Sequence, residues 1–99
     1  MTIDKNIDNG TLNLKVSGRI DSMTAPDLEA TIKGSVDEAK TIDFDFSELE
    51  YISSAGLRVL LGTQKLMGQK GGEMVIRNCG EQILEVFEIT GFTSILNLA

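Results

Sequence analysis

Apolar and polar side chains alternate strictly along two short stretches of the chain. The apolar positions of these stretches are Leu12, Leu14, Val16, Ile42, Phe44 and Phe46. Because successive side chains of a strand point to opposite faces, this period of two predicts two strands that each bury one face. Asn9-Gly10, just before the first stretch, is a strong type I′ hairpin signal. We therefore expect an N-terminal antiparallel hairpin over residues 2–17 and a further strand over residues 41–46.

Three longer stretches place apolar residues at the three- and four-residue spacing of an amphipathic helix. The predicted helices span residues 24–39, 54–69 and 79–90, and two more short strands span residues 74–77 and 95–98. Thr24 is a favoured N-cap type, and Asn78 with Glu81 resembles a capping box for the third helix. Gly91 stands where the third helix should end.

The predicted elements follow the order β-β-α-β-α-β-α-β, and strands joined through a helix run parallel with right-handed crossovers. Parallel strands covered on both faces usually read as unbroken apolar runs, whereas the strands of this chain alternate. We therefore predict an α/β fold with a mixed sheet and helices mainly on one face. In that arrangement Phe44 and Phe46 are buried, while Asp43, Asp45 and Lys15 are mostly accessible to solvent.

The composition excludes several classes of function. The 99 residues, enough for a single domain over residues 1–99, carry 15 acidic and 9 basic side chains, which gives a net charge of -6. Nucleic acids and anionic membranes bind clustered Lys and Arg, so we expect neither as a partner. The chain has no histidine, which excludes Ser-His-Asp triads and histidine-ligated metal sites. We expect that the protein is not an enzyme and that it uses no cofactor and no metal. We interpret Asp43 and Asp45 as residues on a solvated strand face.

Cysteine content and hydropathy bear on the compartment. Cys79 is the only cysteine, so no disulfide framework exists, and we interpret it as a small residue at a helix start. No apolar run is long enough to cross a bilayer, and the N-terminal segment does not resemble a signal peptide. These features predict a cytoplasmic domain that does not insert into a membrane.

The most informative segment is the passage from the strand at residues 41–46 into the second helix. Ser53 and Ser54 stand where that helix begins, where free backbone N–H groups and the positive end of the helix dipole stabilise an anion. Two interpretations stay open, because either serine can simply cap the helix and Ser54 can also accept a phosphate. Arg58 either contacts such a phosphate or is an ordinary exposed helix arginine.

Three segments together resemble the STAS domain, a family shared by bacterial anti-sigma factor antagonists and the cytoplasmic tails of sulfate transporters. Gly18-Arg19-Ile20-Asp21 resembles the family motif after the second strand. The run from Tyr51 to Leu57, Tyr-Ile-Ser-Ser-Ala-Gly-Leu, resembles its phosphorylation loop. Gly71-Gly72 followed by Glu-Met-Val-Ile resembles the glycine pair before the next strand. The resemblance spans nearly the whole chain, with the segments in order and at compatible spacing.

The resemblance implies a right-handed superhelix of β-α units and a regulator that works by partner switching. In such a cycle the antagonist binds an anti-sigma factor that is also a serine kinase, is released when the kinase phosphorylates it, and is reset by a phosphatase. Aligned on Gly56, the phosphate acceptor is Ser54, while Ser53 replaces the family's aspartate and Ala55 its following serine or threonine. The implied partner surface comprises Asp21, Ser53, Ser54, Ala55 and Gly56.

A second function of a different class stays open. Small STAS proteins also serve as constitutive, unphosphorylated subunits of lipid-transport ABC complexes, where they bind the ATPase. Ser53 in place of the family's aspartate removes a negative charge beside the acceptor, which favours this alternative somewhat. Asp21 likewise has two interpretations, as a partner contact beside Ser54 or as a solvated turn residue.

Overall fold

A five-stranded mixed sheet with three helices forms the fold in a computed structural model that describes residues 1–99. The strands are β1 (Thr2–Asp8), β2 (Thr11–Ile20), β3 (Thr41–Asp45), β4 (Leu49–Ile52) and β5 (Glu73–Arg77), and the helices are α1 (Ala25–Lys33), α2 (Ser54–Gln69) and α3 (Glu81–Thr90). The strand order is β1-β2-β3-β5, and β4 pairs with the C-terminal part of β2. Only β1 and β2 are antiparallel; the other pairs are parallel.

The N-terminal hairpin is confirmed. Asn9 and Gly10 both take positive φ values, 50° and 80°, which a type I′ turn requires. The turn fixes a register in which Thr2 lies opposite Ser17 and Asp8 opposite Thr11. The alternating apolar side chains of β2 are buried on the face that the helices cover.

The one-sided sheet is also confirmed, with one correction to its open face. The core is a single cluster of 23 buried residues drawn from one face of the sheet and from all three helices. Phe44 and Phe46 are fully buried within it. Asp43, Asp45 and Lys15 lie on the opposite face but are half-buried, not mostly exposed as predicted. Polar neighbours cover them: Arg77 Nε donates to Asp43 Oδ2 at 2.7 Å, for example.

The first helix is shorter than its apolar periodicity predicts. It ends at Lys33, before Gly34, and a 3-10 turn over Val36–Glu38 leads to β3. Glycine is a poor residue for a helix interior, so Gly34 favours the end of the helix. Beyond Gly34, tertiary contacts rather than α-helical hydrogen bonds hold the chain in place. Lys70 Nζ donates to the carbonyl oxygens of Val36 and Ala39, so the turn stays packed although it is not α-helical.

The predicted elements fail in three other places. Strand β4 was not expected, because its four residues do not alternate and its stability comes from pairing with β2. Helix α3 begins at Glu81 with Gly80 as its N-cap, so the capping box is wrong. Asn78 instead has a φ of 60°, and its side chain donates to Asp45 Oδ1 at 3.2 Å. The strand predicted at residues 95–98 is only a parallel bridge between Ile76 and Leu98.

Candidate functional site

The start of α2 is anchored directly to the end of β2. Ser53 is the N-cap residue with an extended backbone, and Ser54 is the first residue of the 16-residue helix. The Ser53 N–H donates to the Ile20 carbonyl oxygen at 2.8 Å, and the Ser53 carbonyl oxygen accepts from the Leu57 N–H at 3.0 Å. The helix start therefore lies next to Asp21, the residue that follows Ile20.

The two serines differ in accessibility. Ser54 is exposed, whereas the Ser53 hydroxyl oxygen is buried and has no hydrogen-bond partner. Neither side chain bonds the free N–H groups of the first turn, so the helix start has no side-chain cap. Of the two hydroxyls, only that of Ser54 is presented to a partner or a modifying enzyme.

Gly56 brings the first turn of α2 against the sheet. It is buried, and a Cβ atom at this position would lie 2.7 Å from Ile20 Cγ2 and 2.7 Å from Ile52 Cγ1. No ordinary side chain fits at that distance, so glycine is required for close packing with β2 and β4. Ala55 is half-buried and packs against the core. Among Ser53 to Gly56, Ser54 is thus the residue that stands out from the surface.

Asp21 organises the turn between β2 and α1. Its Oδ1 accepts hydrogen bonds from the Met23 N–H at 3.0 Å and from the Thr24 N–H at 3.1 Å. Thr24 is the N-cap of α1, but its Oγ1 accepts from the Asp21 N–H at 2.8 Å and does not cap the helix. The Thr24 and Met23 N–H groups hold the pKa of Asp21 below its usual range. Asp21 is therefore a structural turn residue, and it places a negative charge beside the start of α2. We call the surface formed by Asp21 and Ser54 the Ser54 corner.

Surface residues near this corner were missed in the sequence. The Arg19 guanidinium stacks over the Tyr51 ring at 4.2 Å, from adjacent positions of the β2–β4 pair. Met23, in the turn held by Asp21, is 84% exposed. Tyr51 lies three residues before Ser54 in the sequence. Its contact with Arg19 could be predicted only if β4 and its pairing with β2 had been recognised.

Two other features of the molecule bear on its chemistry. No group of three or more His, Cys, Asp or Glu side chains is arranged to hold a metal ion. None of the helices combines the length and apolar character needed to cross a membrane.

The STAS domain family model matches residues 2–99 of the chain. The chain belongs to the STAS domain family. Two relatives of this STAS domain carry names that state a role. The first is BtrV of Bordetella bronchiseptica, named as an anti-sigma factor antagonist, which is 42% identical over all of this chain and 84% of its own length. The second is the anti-sigma-B factor antagonist of Bacillus subtilis, 24% identical over all of this chain and 91% of its own length.

Solved structures show the same fold. Unphosphorylated SpoIIAA, an anti-sigma factor antagonist, superposes with a TM-score of 0.80 at 17% identity, covering 99% of this chain and 87% of SpoIIAA. The phosphorylated form of SpoIIAA from Bacillus gives a TM-score of 0.79 at 19% identity, covering 99% of this chain and 91% of SpoIIAA. The α/β STAS fold expected from the sequence motifs is confirmed.

Proposed function

We propose that this STAS domain is an anti-sigma factor antagonist that regulates transcription by partner switching. It binds an anti-sigma factor that is also a serine kinase, phosphorylation of Ser54 releases it, and a phosphatase restores the binding form. The observation that carries the proposal is the contrast between the exposed Ser54 and the buried Ser53 hydroxyl at the start of α2. The names of BtrV and of the Bacillus subtilis relative support the general role of an anti-sigma factor antagonist.

The fold can accommodate a phosphate at Ser54. The first turn of α2 contains no acidic side chain, and its N–H groups and the helix dipole favour a negative charge there. A phosphate adds about -1.5 to -2 charges at neutral pH. These are placed at the end of the helix that tolerates them best, so phosphorylation changes the surface and leaves the fold intact.

The same phosphate opposes binding. A partner that covers the corner of Asp21 and Ser54 takes the Ser54 side chain out of water. A hydroxyl loses little hydration when it is covered, whereas a phosphate loses a great deal unless cations of the partner meet it. Ser53, Ala55 and Gly56 contribute to this surface mainly by holding Ser54 in place, since they are partly or fully buried.

The domain acts by binding rather than by catalysis, and its partner can be identified directly. We suggest affinity purification of the tagged chain from its native cell, with mass spectrometry of the co-purified proteins and of the Ser54 peptide. The proposal expects an anti-sigma factor with a kinase domain and a fraction of phosphorylated Ser54. Co-purification of a lipid-transport ATPase with unmodified Ser54 would support the alternative function as a constitutive subunit.

A further inference from the structure

Helix α2 is basic although the whole chain is acidic. It carries Arg58 and Lys65 and no acidic residue, while the chain as a whole has a net charge of -6. Helix α3 is the opposite, since its charged side chains are three glutamates. Charge is thus distributed unevenly over the surface, and α2 is a positive element on a negative protein.

A groove between α1 and α2 runs along this basic element. It consists of two depressions of about 240 Å³ and 350 Å³, which share Glu29 and Val59 in their walls. One end is lined by Ala55, next to Ser54, and the other by Gln69 at the end of α2. The groove therefore starts at the proposed phosphorylation site and follows α2 over its length. We call it the α1–α2 groove.

The charges of the α1–α2 groove leave an unbalanced positive edge. Glu29 is the acidic residue of its lining, and its carboxylate pairs with Lys33 Nζ at 3.4 Å. Arg58 and Lys65, also in the lining, form no ion pair and no side-chain hydrogen bond. Their charges are free to meet carboxylates of another molecule.

Gly62 lies in the middle of α2 and lines the groove. Glycine is the least favourable residue for a helix interior after proline, so its presence there calls for a packing reason. The chain itself supplies none, because a Cβ at Gly62 would have no atom within 4 Å other than those of its chain neighbours and of the backbone of its own helix. Gly56 of the same helix differs, since contacts within the chain require it. A low wall at Gly62 would instead let the backbone of a second molecule approach α2 closely.

We propose that the α1–α2 groove docks an acidic segment of the anti-sigma factor, with Gly62 at the point of closest approach and Arg58 and Lys65 as its cationic contacts. The inference rests on the proposed function and extends the partner surface from the Ser54 corner along α2. It also gives the phosphate a second effect. Arg58 follows Ser54 by four residues, the spacing at which helix side chains meet. Phosphate on Ser54 draws Arg58 to itself and repels the acidic segment.

The test measures the affinity of the purified chain for each anti-sigma factor kinase encoded in the source genome, by calorimetry. Gly62→Leu should weaken binding at least tenfold. Gly68→Leu is the matched control, because Gly68 is also a helical glycine with open space at its Cβ but lies outside the groove. Gly62→Ala should raise the Tm of the free domain, which separates docking from folding. Equal affinities for Gly62→Leu and Gly68→Leu, with both proteins folded, would overturn the proposal.

The electrostatic part has its own control. Lys65→Glu should weaken binding about tenfold more than Lys40→Glu, which makes the same charge change on an exposed residue outside the groove. The difference should shrink at high salt, because salt screens interactions between exposed charges. The same loss for both variants would indicate an effect of net charge alone and would count against the groove.

The occupant can be read by photo-crosslinking from a benzoylphenylalanine placed at Gln69, with mass spectrometry of the captured peptide. An anti-sigma factor peptide with more Asp and Glu than Lys and Arg supports the proposal; a basic peptide, or α3 of a second copy of this chain, contradicts it. If groove variants bind normally while Ser54→Asp loses affinity, the groove is wrong and the proposed function stands. If the wild-type chain binds none of the anti-sigma factors, both are wrong.

Discussion

The backbone N–H of Ser53 donates a 2.8 Å hydrogen bond to the carbonyl oxygen of Ile20. This bond ties the start of α2 to the end of β2 and so sets Ser54 beside Asp21. The Ser53 hydroxyl beside this bond is buried, whereas Ser54 is exposed. The two adjacent serines therefore differ in their access to solvent at the point where α2 meets the sheet.

That difference predicts which serine is modified. A cognate anti-sigma kinase with ATP should add one phosphate to the wild-type chain, because only the Ser54 hydroxyl is accessible. Ser54→Ala should abolish the modification, and Ser53→Ala should retain it. Intact-mass spectrometry with peptide mapping gives the answer. Phosphate on Ser53 would mean that the loop opens in the kinase complex and that burial does not protect this hydroxyl.

Gly56 offers a test of the packing beneath the site. Gly56→Ala places a Cβ 2.7 Å from Ile20 Cγ2 and from Ile52 Cγ1, and such overpacking usually costs about 1–3 kcal/mol. In a domain of this size each kcal/mol lost from the free energy of unfolding lowers the Tm by about 4–8 °C. Thermal unfolding followed by circular dichroism measures the shift. Gly62→Ala is the control, since the same change in open space should stabilise the helix by up to about 1 kcal/mol. An unchanged Tm for Gly56→Ala would show that α2 moves freely away from the sheet.

Local signals in the sequence were sufficient for much of the fold. Asn9-Gly10 predicted the hairpin turn because asparagine and glycine suit the left-handed backbone conformation, and this preference does not depend on tertiary contacts. The limits of α2 followed from Ser54 and from helical spacing up to Gln69, and both were confirmed. The STAS motifs added the family, which the family model confirms.

The features that were predicted wrongly or missed depend on contacts with residues that are distant in the sequence. β4 has too few residues to show a period, and it exists because Leu49 and Ile52 pair with Gly18 and Ile20. Asn78 satisfies the pattern of a capping box, yet its side-chain amide donates a hydrogen bond to Asp45, 33 residues away. The exposed Ser54 and the buried Ser53 are chemically identical neighbours, and only the docking of α2 on the sheet distinguishes them.

Acid should loosen the turn that Asp21 organises. Hydrogen bonds from the Thr24 and Met23 N–H groups lower the pKa of Asp21 in the folded state. Its carboxylate therefore contributes stability above the unfolded-state pKa, and this contribution is lost as the pH falls through the lowered folded-state pKa. The Tm difference between wild type and Asp21→Asn should be present at neutral pH and shrink on acidification. Asp37→Asn, a change at an exposed carboxylate without a hydrogen bond, is the control; a difference that is constant with pH would contradict the linkage.

Cys79 should be unreactive at neutral pH in the folded protein. Burial raises the pKa of its thiol to about 11, and the thiolate is the reactive form. At pH 8 only about a thousandth of the thiol is then ionised, compared with a substantial fraction for an ordinary exposed thiol. Alkylation by iodoacetamide, followed by mass spectrometry, should be slow in buffer and fast in denaturant. Equal rates in the two conditions would mean that Cys79 is accessible.

The switch itself is tested by charge at Ser54. A partner that covers the corner desolvates this side chain, and a carboxylate placed there loses its hydration with no cation of the partner to replace it. Ser54→Asp should therefore weaken binding of the anti-sigma factor by about 1–3 kcal/mol, within the range for a poorly compensated interfacial charge. It supplies one of the phosphate's charges in a different shape, so its effect should be smaller than that of phosphorylation. Ser54→Ala should bind nearly as well as the wild type, since a neutral side chain keeps the surface uncharged.

Both variants should fold, because neither substitution removes a capping hydrogen bond. The side chains of Ser53 and Ser54 do not cap α2. An aspartate at the first helical position also interacts favourably with the helix dipole, by about 0.3–1 kcal/mol. Ser54→Asp should thus be as stable as the wild type or slightly more so while binding more weakly. Calorimetry of the purified pair, with thermal unfolding of each variant alone, separates the two effects. Equal affinities for Ser54→Asp and Ser54→Ala, with both proteins folded, would show that Ser54 does not control the interface.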